Sequence, residues 1–315
     1  MKDLYVGIDL GGTFIKCGIV TKEGEVLIKG QTPTEVEKGL DGVLANIVGI
    51  MRKQLGEIGR SEEDVVAMGF GVPGIVDEDF TVIEATNLGW HSENVVERMK
   101  TLTSVPVKLG NDADVAALGE VKFGVAKGMK SAFMITLGTG VGSGIIINGK
   151  IFSGNHGCGG EIGHTVLHKD GEQCNCGQKG CVEAYLSATA LKKFAQRAMN
   201  DNPDTKLWER AKSVDEVTAK DVLDLSEEDE TCKKLTCDYI ENLFDLCLNL
   251  ANGFRPEAII LGGGVSLAGE KLTKPLQAKL DDKIFAKAHT PKVKILSAKL
   301  GNDAGFVGAA SLCIE

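Results

Sequence analysis

Short apolar runs separated by glycine-bearing turns fill the first thirty residues. LYVGIDL, FIKCGIVT and EVLIKGQT read as three strands of a meander, with Lys22-Glu23-Gly24 as the hairpin turn. The period then changes. Leu40, Val43, Leu44, Ile47, Met51, Leu55 and Ile58 recur at the spacing of one helix face. VVAMGFGV, apolar almost throughout, predicts a buried strand. VPVKLGND predicts a strand running into a loop, and AALGEVKF the helix after it.

The pattern then restarts. AFMITLGTGVGSGIIINGKIFSG repeats the opening as strand, Gly-Thr turn, strand, glycine hairpin and strand. Gly11-Gly12-Thr13 corresponds to Gly138-Thr139-Gly140, and Gly24 to Gly149. LGNDA at 109–113 returns at 300–304, each copy passing from a strand into a helix of small residues. This predicts a duplicated α/β unit, with two related lobes and a cleft between them. Further helices are expected over Ala184–Met199 and from near Thr231, the latter with Leu235, Tyr239, Leu243, Cys247 and Leu250 on its apolar face. Ser226 with Asp229 reads as a capping pair ahead of it.

Composition narrows the partners. A chain of 315 residues can bury a substantial core, and 43% hydrophobic with 25% charged residues is an ordinary soluble balance. A net charge of -9 excludes a partner that needs a basic surface, such as nucleic acid or an acidic membrane. It leaves room for a small anion such as ATP. No apolar run reaches membrane-spanning length, and MKDLYVGIDLGG lacks the layout of a signal peptide, so a cytoplasmic location is expected. Cys17, Cys158, Cys232, Cys237, Cys247 and Cys313 are scattered among apolar neighbours and read as small buried hydrophobes. Only Cys174, Cys176 and Cys181 cluster.

Asp9-Leu10-Gly11-Gly12-Thr13 ends a strand and enters a hairpin, where glycines let backbone N–H groups turn toward a phosphate. Asp9 is placed to help hold Mg²⁺ through water. The second copy, Gly138-Thr139-Gly140, would complete a phosphate clamp. A third turn, Gly262-Gly263-Gly264, follows the strand EAIIL and admits a flat ligand such as adenine with its ribose. No Walker-type P-loop occurs. Residues 69–74 match G-x-G-x-x-G, but Pro73 and the extended IVDED after it cannot start the helix of a Rossmann turn.

His164, Cys174, Cys176 and Cys181 give H-x9-C-x-C-x4-C, a donor set suited to a structural tetrahedral zinc ion. His156 and His168 compete for the fourth position. A redox pair would call for C-x-x-C, and C-x-C is not that. Glu161 before the knuckle and Glu183 after it set two carboxylates beside a metal-held imidazole, good acceptors for paired hydroxyls.

At this point the residues resemble the ROK family (repressor, open reading frame, kinase), and within it the ATP-dependent glucokinases. The resemblance runs from Asp3 to Ser311 through DLGGTFIK, GVPGIVD, NLGW, NDADVAALGE, ITLGTGVGSG, GGEIGH, CNCGQKGCVEA, ILGGGVSLAGE and GNDAG. It implies an actin-like, ribonuclease H-like ATPase fold of the sugar-kinase type. A small lobe would cover 1–112, completed by a C-terminal helix at 303–315, with a larger lobe at 113–302. The implied reaction is transfer of phosphate from Mg-ATP to the 6-hydroxyl of glucose, a cytoplasmic, glycolytic step. Another hexose (N-acetylmannosamine, N-acetylglucosamine or fructose) and a non-catalytic sugar sensor are the alternatives. Asp112 would be the general base and Asn111 would bind sugar hydroxyls. Glu161, His164 and Glu183 would hold those at C1 and C2, and Gly74 would line the pocket. Asp9, Gly11, Gly12, Thr13, Lys16, Gly138, Thr139, Gly140, Gly262, Gly263 and Gly264 would take the nucleotide. His164, Cys174, Cys176 and Cys181 would ligate zinc. Relatives are usually homodimers or homotetramers. Two departures, Ser143 for a glycine and Cys158 for an alanine, are both small. The first phosphate strand begins within a few residues of Met1, which argues against the DNA-binding role of the family's repressors.

Overall fold

Residues 2–314 are described in the computed structural model. The chain opens with β1 (Leu4–Leu10), β2 (Phe14–Thr21), β3 (Val26–Pro33) and helix α1 (Gly39–Glu57). Next come β4 (Val65–Val72), β5 (Ile75–Val76), β6 (Thr81–Ala85), β7 (Trp90–Asn94), α2 (Val95–Met99), β8 (Val107–Asn111) and α3 (Asp112–Lys122). The second half begins with β9 (Ala132–Leu137), β10 (Val141–Ile147) and β11 (Lys150–Ile151). Helices follow: α4 (Glu183–Leu186), α5 (Ala188–Asp201), α6 (Leu207–Arg210), α7 (Ala219–Asp224) and α8 (Glu230–Phe254). It closes with β12 (Ala258–Gly262), α9 (Glu270–Lys283), β13 (Lys294–Ser297) and α10 (Ala304–Ser311).

One five-stranded sheet has the order β3-β2-β1-β4-β8, and the other β11-β10-β9-β12-β13. Strand for strand the order repeats, so the duplication read from the glycine turns holds in the topology. In the first sheet β1 runs antiparallel to β2 and parallel to β4, and β4 is parallel to β8. In the second, β10 and β11 are antiparallel, and β12 and β13 are parallel. A small sheet, β5-β6-β7, follows β4. Gly69–Gly74 therefore leads from strand to strand and not into a helix, as Pro73 required.

The chain forms two compact units. The first holds Met1–Ala132, Gly144–Gly160 and Lys299–Glu315, and the second Phe133–Ser143 and Glu161–Ala298. This division differs from the expected 1–112 and 113–302, because α3 belongs with α10. A Cβ on Gly119 would stand 2.9 Å from the Cα of Gly308, and one on Gly144 would stand 2.4 Å from the Ala113 carbonyl oxygen.

In the first unit alternation along β1 sorts residues to opposite faces. Leu4, Val6, Ile8 and Leu10 pack with Val43, Leu44, Ile47, Met51 and Leu55 of α1. Tyr5 packs with Phe306, Val307 and Ala310 of α10. The helix approaches so closely that a Cβ on Gly7 would meet the Phe306 carbonyl oxygen at 1.8 Å. Trp90 of NLGW is buried in this core.

Three local readings change in the second unit. Asp229 caps α8 by itself, its side chain accepting from the Cys232 N–H at 2.8 Å, while the Ser226 hydroxyl donates to the Leu223 carbonyl at 2.8 Å. The helix expected over 184–199 is broken at Ser187, which turns extended and caps α5 by accepting from Ala190 at 3.0 Å. Cys237 is exposed, as is Cys158 of the first unit, so neither is a buried hydrophobe; Cys17, Cys232 and Cys247 are buried, and Cys313 is half-buried. Among the described residues no helix is long and apolar enough to cross a membrane.

Candidate active site

In the first unit Asp9 and Lys16 face each other across the β1–β2 hairpin, with Lys16 Nζ 3.1 Å from Asp9 Oδ2. The turn between them is fastened by its carbonyls. Thr34 donates its hydroxyl to the Gly11 oxygen at 2.6 Å and its N–H to the Thr13 oxygen at 2.9 Å. The Asp9 carboxylate lies against the first turn of α10, where a Cβ on Gly305 would come within 2.5 Å of its Cγ.

Asn111 and Asp112 stand where β8 becomes α3. Asn111 is the N-cap, its Oδ1 accepting from the N–H of Ala113 at 2.9 Å and of Asp114 at 3.2 Å. Its Nδ2 donates to the Gly74 carbonyl at 3.1 Å. An amide nitrogen carries a second hydrogen, available to a ligand hydroxyl. Gly74 owes its place to lacking a side chain, since a Cβ would come within 2.1 Å of the Glu84 carbonyl oxygen. The capping role of Asn111 escaped the sequence reading, although an Asn directly before a helix start is its ordinary signal. Asp112 is the first residue of α3, half-buried, with Oδ1 accepting from Ala113 N–H at 2.9 Å. Its sequence twin, Asp303, sits differently. It precedes α10 without a side-chain capping bond and pairs with Lys29 Nζ at 2.7 Å.

In the second unit the start of α5 docks onto the 138–140 turn. Ala188 N–H donates to the Gly138 oxygen at 2.7 Å, and the Thr189 hydroxyl to the Thr139 oxygen at 2.7 Å. Gly263, at φ 79°, lies against the end of β9, where a Cβ would stand 2.6 Å from the Leu137 carbonyl. The third glycine turn is thus adjacent to the second. Beside it a cavity of about 410 Å³ is lined by Gly264, Val265, Ala188 and Leu223 among others.

His164 Nδ1 lies 3.8 Å from Cys174 Sγ, and Cys176 Sγ lies 3.6 Å from Cys181 Sγ. All four ligand atoms fall within 4.8 Å of one another. Zn–S bonds of about 2.3 Å in a tetrahedron place neighbouring sulfurs about 3.8 Å apart, close to the two spacings above, so the chemistry of the donor set suits zinc. Glycines at 177 and 180, at φ 93° and 80°, make the tight turns of the knuckle. Burial pushes the Cys181 thiol up to about 12, and the neighbouring sulfurs add to it. A divalent cation supplies the charge that such clustered thiolates need. His168 lies outside the four-residue group, and its Nε2 is 2.6 Å from Asn242 Oδ1. His156 lies in the first unit and outside the four-residue group. With Nδ1 turned to the sulfurs, Nε2 of His164 is the nitrogen left for another partner.

Glu161 is exposed beside His164, its carbonyl accepting the His164 N–H at 3.1 Å. Glu183 opens α4, and its Oε2 accepts from Val141 N–H at 3.0 Å. That bond spans 42 residues of chain and carries no local sequence signal.

A twice-repeated five-stranded order with a glycine turn after the first strand of each copy defines the actin-like, ribonuclease H-like ATPase class. Within that class the profile of the ROK family matches residues 5–315, and the chain belongs to the ROK family. It is 37% identical over 311 residues to the glucokinase of Halalkalibacterium halodurans, covering 98% of this chain and 94% of that protein. A ROK family glucokinase from Streptomyces griseus, solved in complex with glucose and AMPPNP, superimposes with a TM-score of 0.80 at 34% identity, covering 98% of each chain. The xylose repressor of Caldicellulosiruptor bescii is 29% identical over 316 residues, which span 98% of this chain and 78% of the repressor.

Proposed function

We propose that this protein is a cytoplasmic glucokinase that transfers the γ-phosphoryl group of Mg-ATP to the 6-hydroxyl of glucose. Near-full-length similarity to glucokinases supports the reaction. The structural observation that carries it is Asp112 on the first turn of a helix whose start is locked by Asn111. A general base must be held in one place to accept the hydroxyl proton. Asn111 offers its remaining amide hydrogen to the sugar, and Gly74 lines that side. Glu161, His164 and Glu183 accept or donate to the hydroxyls at C1 and C2.

The turns at Gly11-Gly12-Thr13 and Gly138-Thr139-Gly140 turn amides toward the phosphates, with Lys16 and Asp9 at the Mg²⁺ end. Gly262-Gly263-Gly264 and the adjoining cavity take adenosine. Phosphoryl transfer is mostly positioning and charge stabilisation, and the site's work is to hold reactants in line and exclude water. Zinc at His164, Cys174, Cys176 and Cys181 is structural, since the protein fills all four positions. A homodimer or homotetramer is the assembly that goes with this reading.

A sensor without turnover is the competing reading, since xylose repressors are among the relatives. A coupled assay across hexoses and N-acetylhexosamines separates the two. Glucose should give the highest kcat/KM. An N-acetylhexosamine preferred by tenfold or more, about 1.4 kcal/mol of transition-state discrimination, overturns the substrate. No ATP-dependent product with any sugar overturns the kinase.

A further inference from the structure

Glu183 sits at a junction that its expected sugar role does not require. Its Oε2 accepts from Val141 N–H at 3.0 Å, at the start of β10 directly after the 138–140 turn. Gly140 must lack a side chain for this, because a Cβ would stand 2.5 Å from Oε2. The other oxygen, Oε1, lies 3.9 Å from Cys174 Sγ. On the chain Glu183 follows Cys181 by two residues, and the Ala184 N–H donates to the Cys181 carbonyl at 3.0 Å. The metal knuckle therefore sets where this carboxylate stands, and the carboxylate holds the turn.

Resting on the glucokinase reading, we propose that Glu183 is a positioning residue for the phosphoryl donor, tying the 138–141 turn to the Cys174-Cys176-Cys181 knuckle. Integrity of the knuckle is then felt at the nucleotide as well as at the sugar. A hydrogen bond to an ionised carboxylate is among the stronger ones in a protein. Its loss frees the amide of Val141 and the turn that precedes it.

The test is calorimetric binding of Mg-AMPPNP, without sugar, to native protein, to Glu183→Ala and to Glu183→Gln. Sugar is left out so that a purely sugar-binding Glu183 has no effect. Glu183→Ala should weaken the nucleotide roughly tenfold or more, the scale of one lost charge-assisted bond. Glu183→Gln keeps an oxygen that can accept from Val141 and should stay within about threefold of native. Native protein stripped of metal by a chelator should weaken in the same direction as Glu183→Ala. Zinc content and a thermal melt of each variant show whether the knuckle is intact. Equal affinity in native protein and Glu183→Ala overturns the proposal, as does equal loss in both variants with zinc retained. No nucleotide binding by native protein counts against the kinase reading itself.

Discussion

Replacing Asp112 and Asp303 by asparagine, one at a time, tests where the chemistry resides in a duplicated chain. Both lie in L-G-N-D-A, yet their surroundings differ. Asp112 Oδ1 accepts from Ala113 N–H at 2.9 Å, a bond that an asparagine oxygen can keep, so the start of α3 should survive the change. What disappears is the proton acceptor, a loss of about 10²–10⁴ in rate for a general base. That equals roughly 3–5 kcal/mol of barrier. Asp303 instead pairs with Lys29 at 2.7 Å, with the two side chains 31% and 57% exposed. An ion pair this open is worth at most about 1 kcal/mol, screened further by salt. Asp303→Asn should shift Tm by no more than about 2–4 °C and leave kcat within roughly tenfold. The assay is ADP release at saturating glucose and ATP, with thermal melts and Mg-AMPPNP binding to confirm that both variants are folded and loaded. A dead Asp303→Asn beside a normal Asp112→Asn would refute the assignment of the base.

Protein purified without added metal should carry one zinc per chain by elemental analysis. Iodoacetamide at pH 8 should label Cys158 and Cys237, which are exposed, and spare Cys17 and Cys247, whose thiols burial pushes up to about 12. A chelator should add Cys174, Cys176 and Cys181 to the labelled set; labelling of all three before chelation would dismiss the metal. Glu120, fully buried, accepts from Lys299 and Leu300 N–H through Oε1 at 2.8 and 2.7 Å, and from Val125 N–H through Oε2 at 2.8 Å. Glu120→Gln turns an amide NH₂ against one of these donors and should cost about 1–3 kcal/mol by urea denaturation. An unchanged midpoint would show that the three bonds are not a strut between α3 and the segment leading to α10.

Local chemistry was enough for much of this protein. Strands, their glycine turns and the buried face of α1 follow from periodicity, because each residue's burial there depends on neighbours two to four positions away. The duplication was legible because the same turn residues recur in the same order. The clustering of Cys174, Cys176 and Cys181 was legible because the three lie on one short local loop. The rest needed contacts between distant residues. The choice of His164 over His168 rests on which imidazole the folded chain brings to the three sulfurs. The contrast between Asp112 and Asp303 rests on Lys29, 274 residues from Asp303. The glycines of β1 and β4 look like strand-weakening choices until α10 is laid on them, with the Phe306 and Ala309 carbonyls 1.8 Å from where Cβ atoms of Gly7 and Gly69 would stand. The same holds for Glu183, whose hydrogen bond to Val141 is decided by tertiary packing, because no spacing rule reaches across 42 residues.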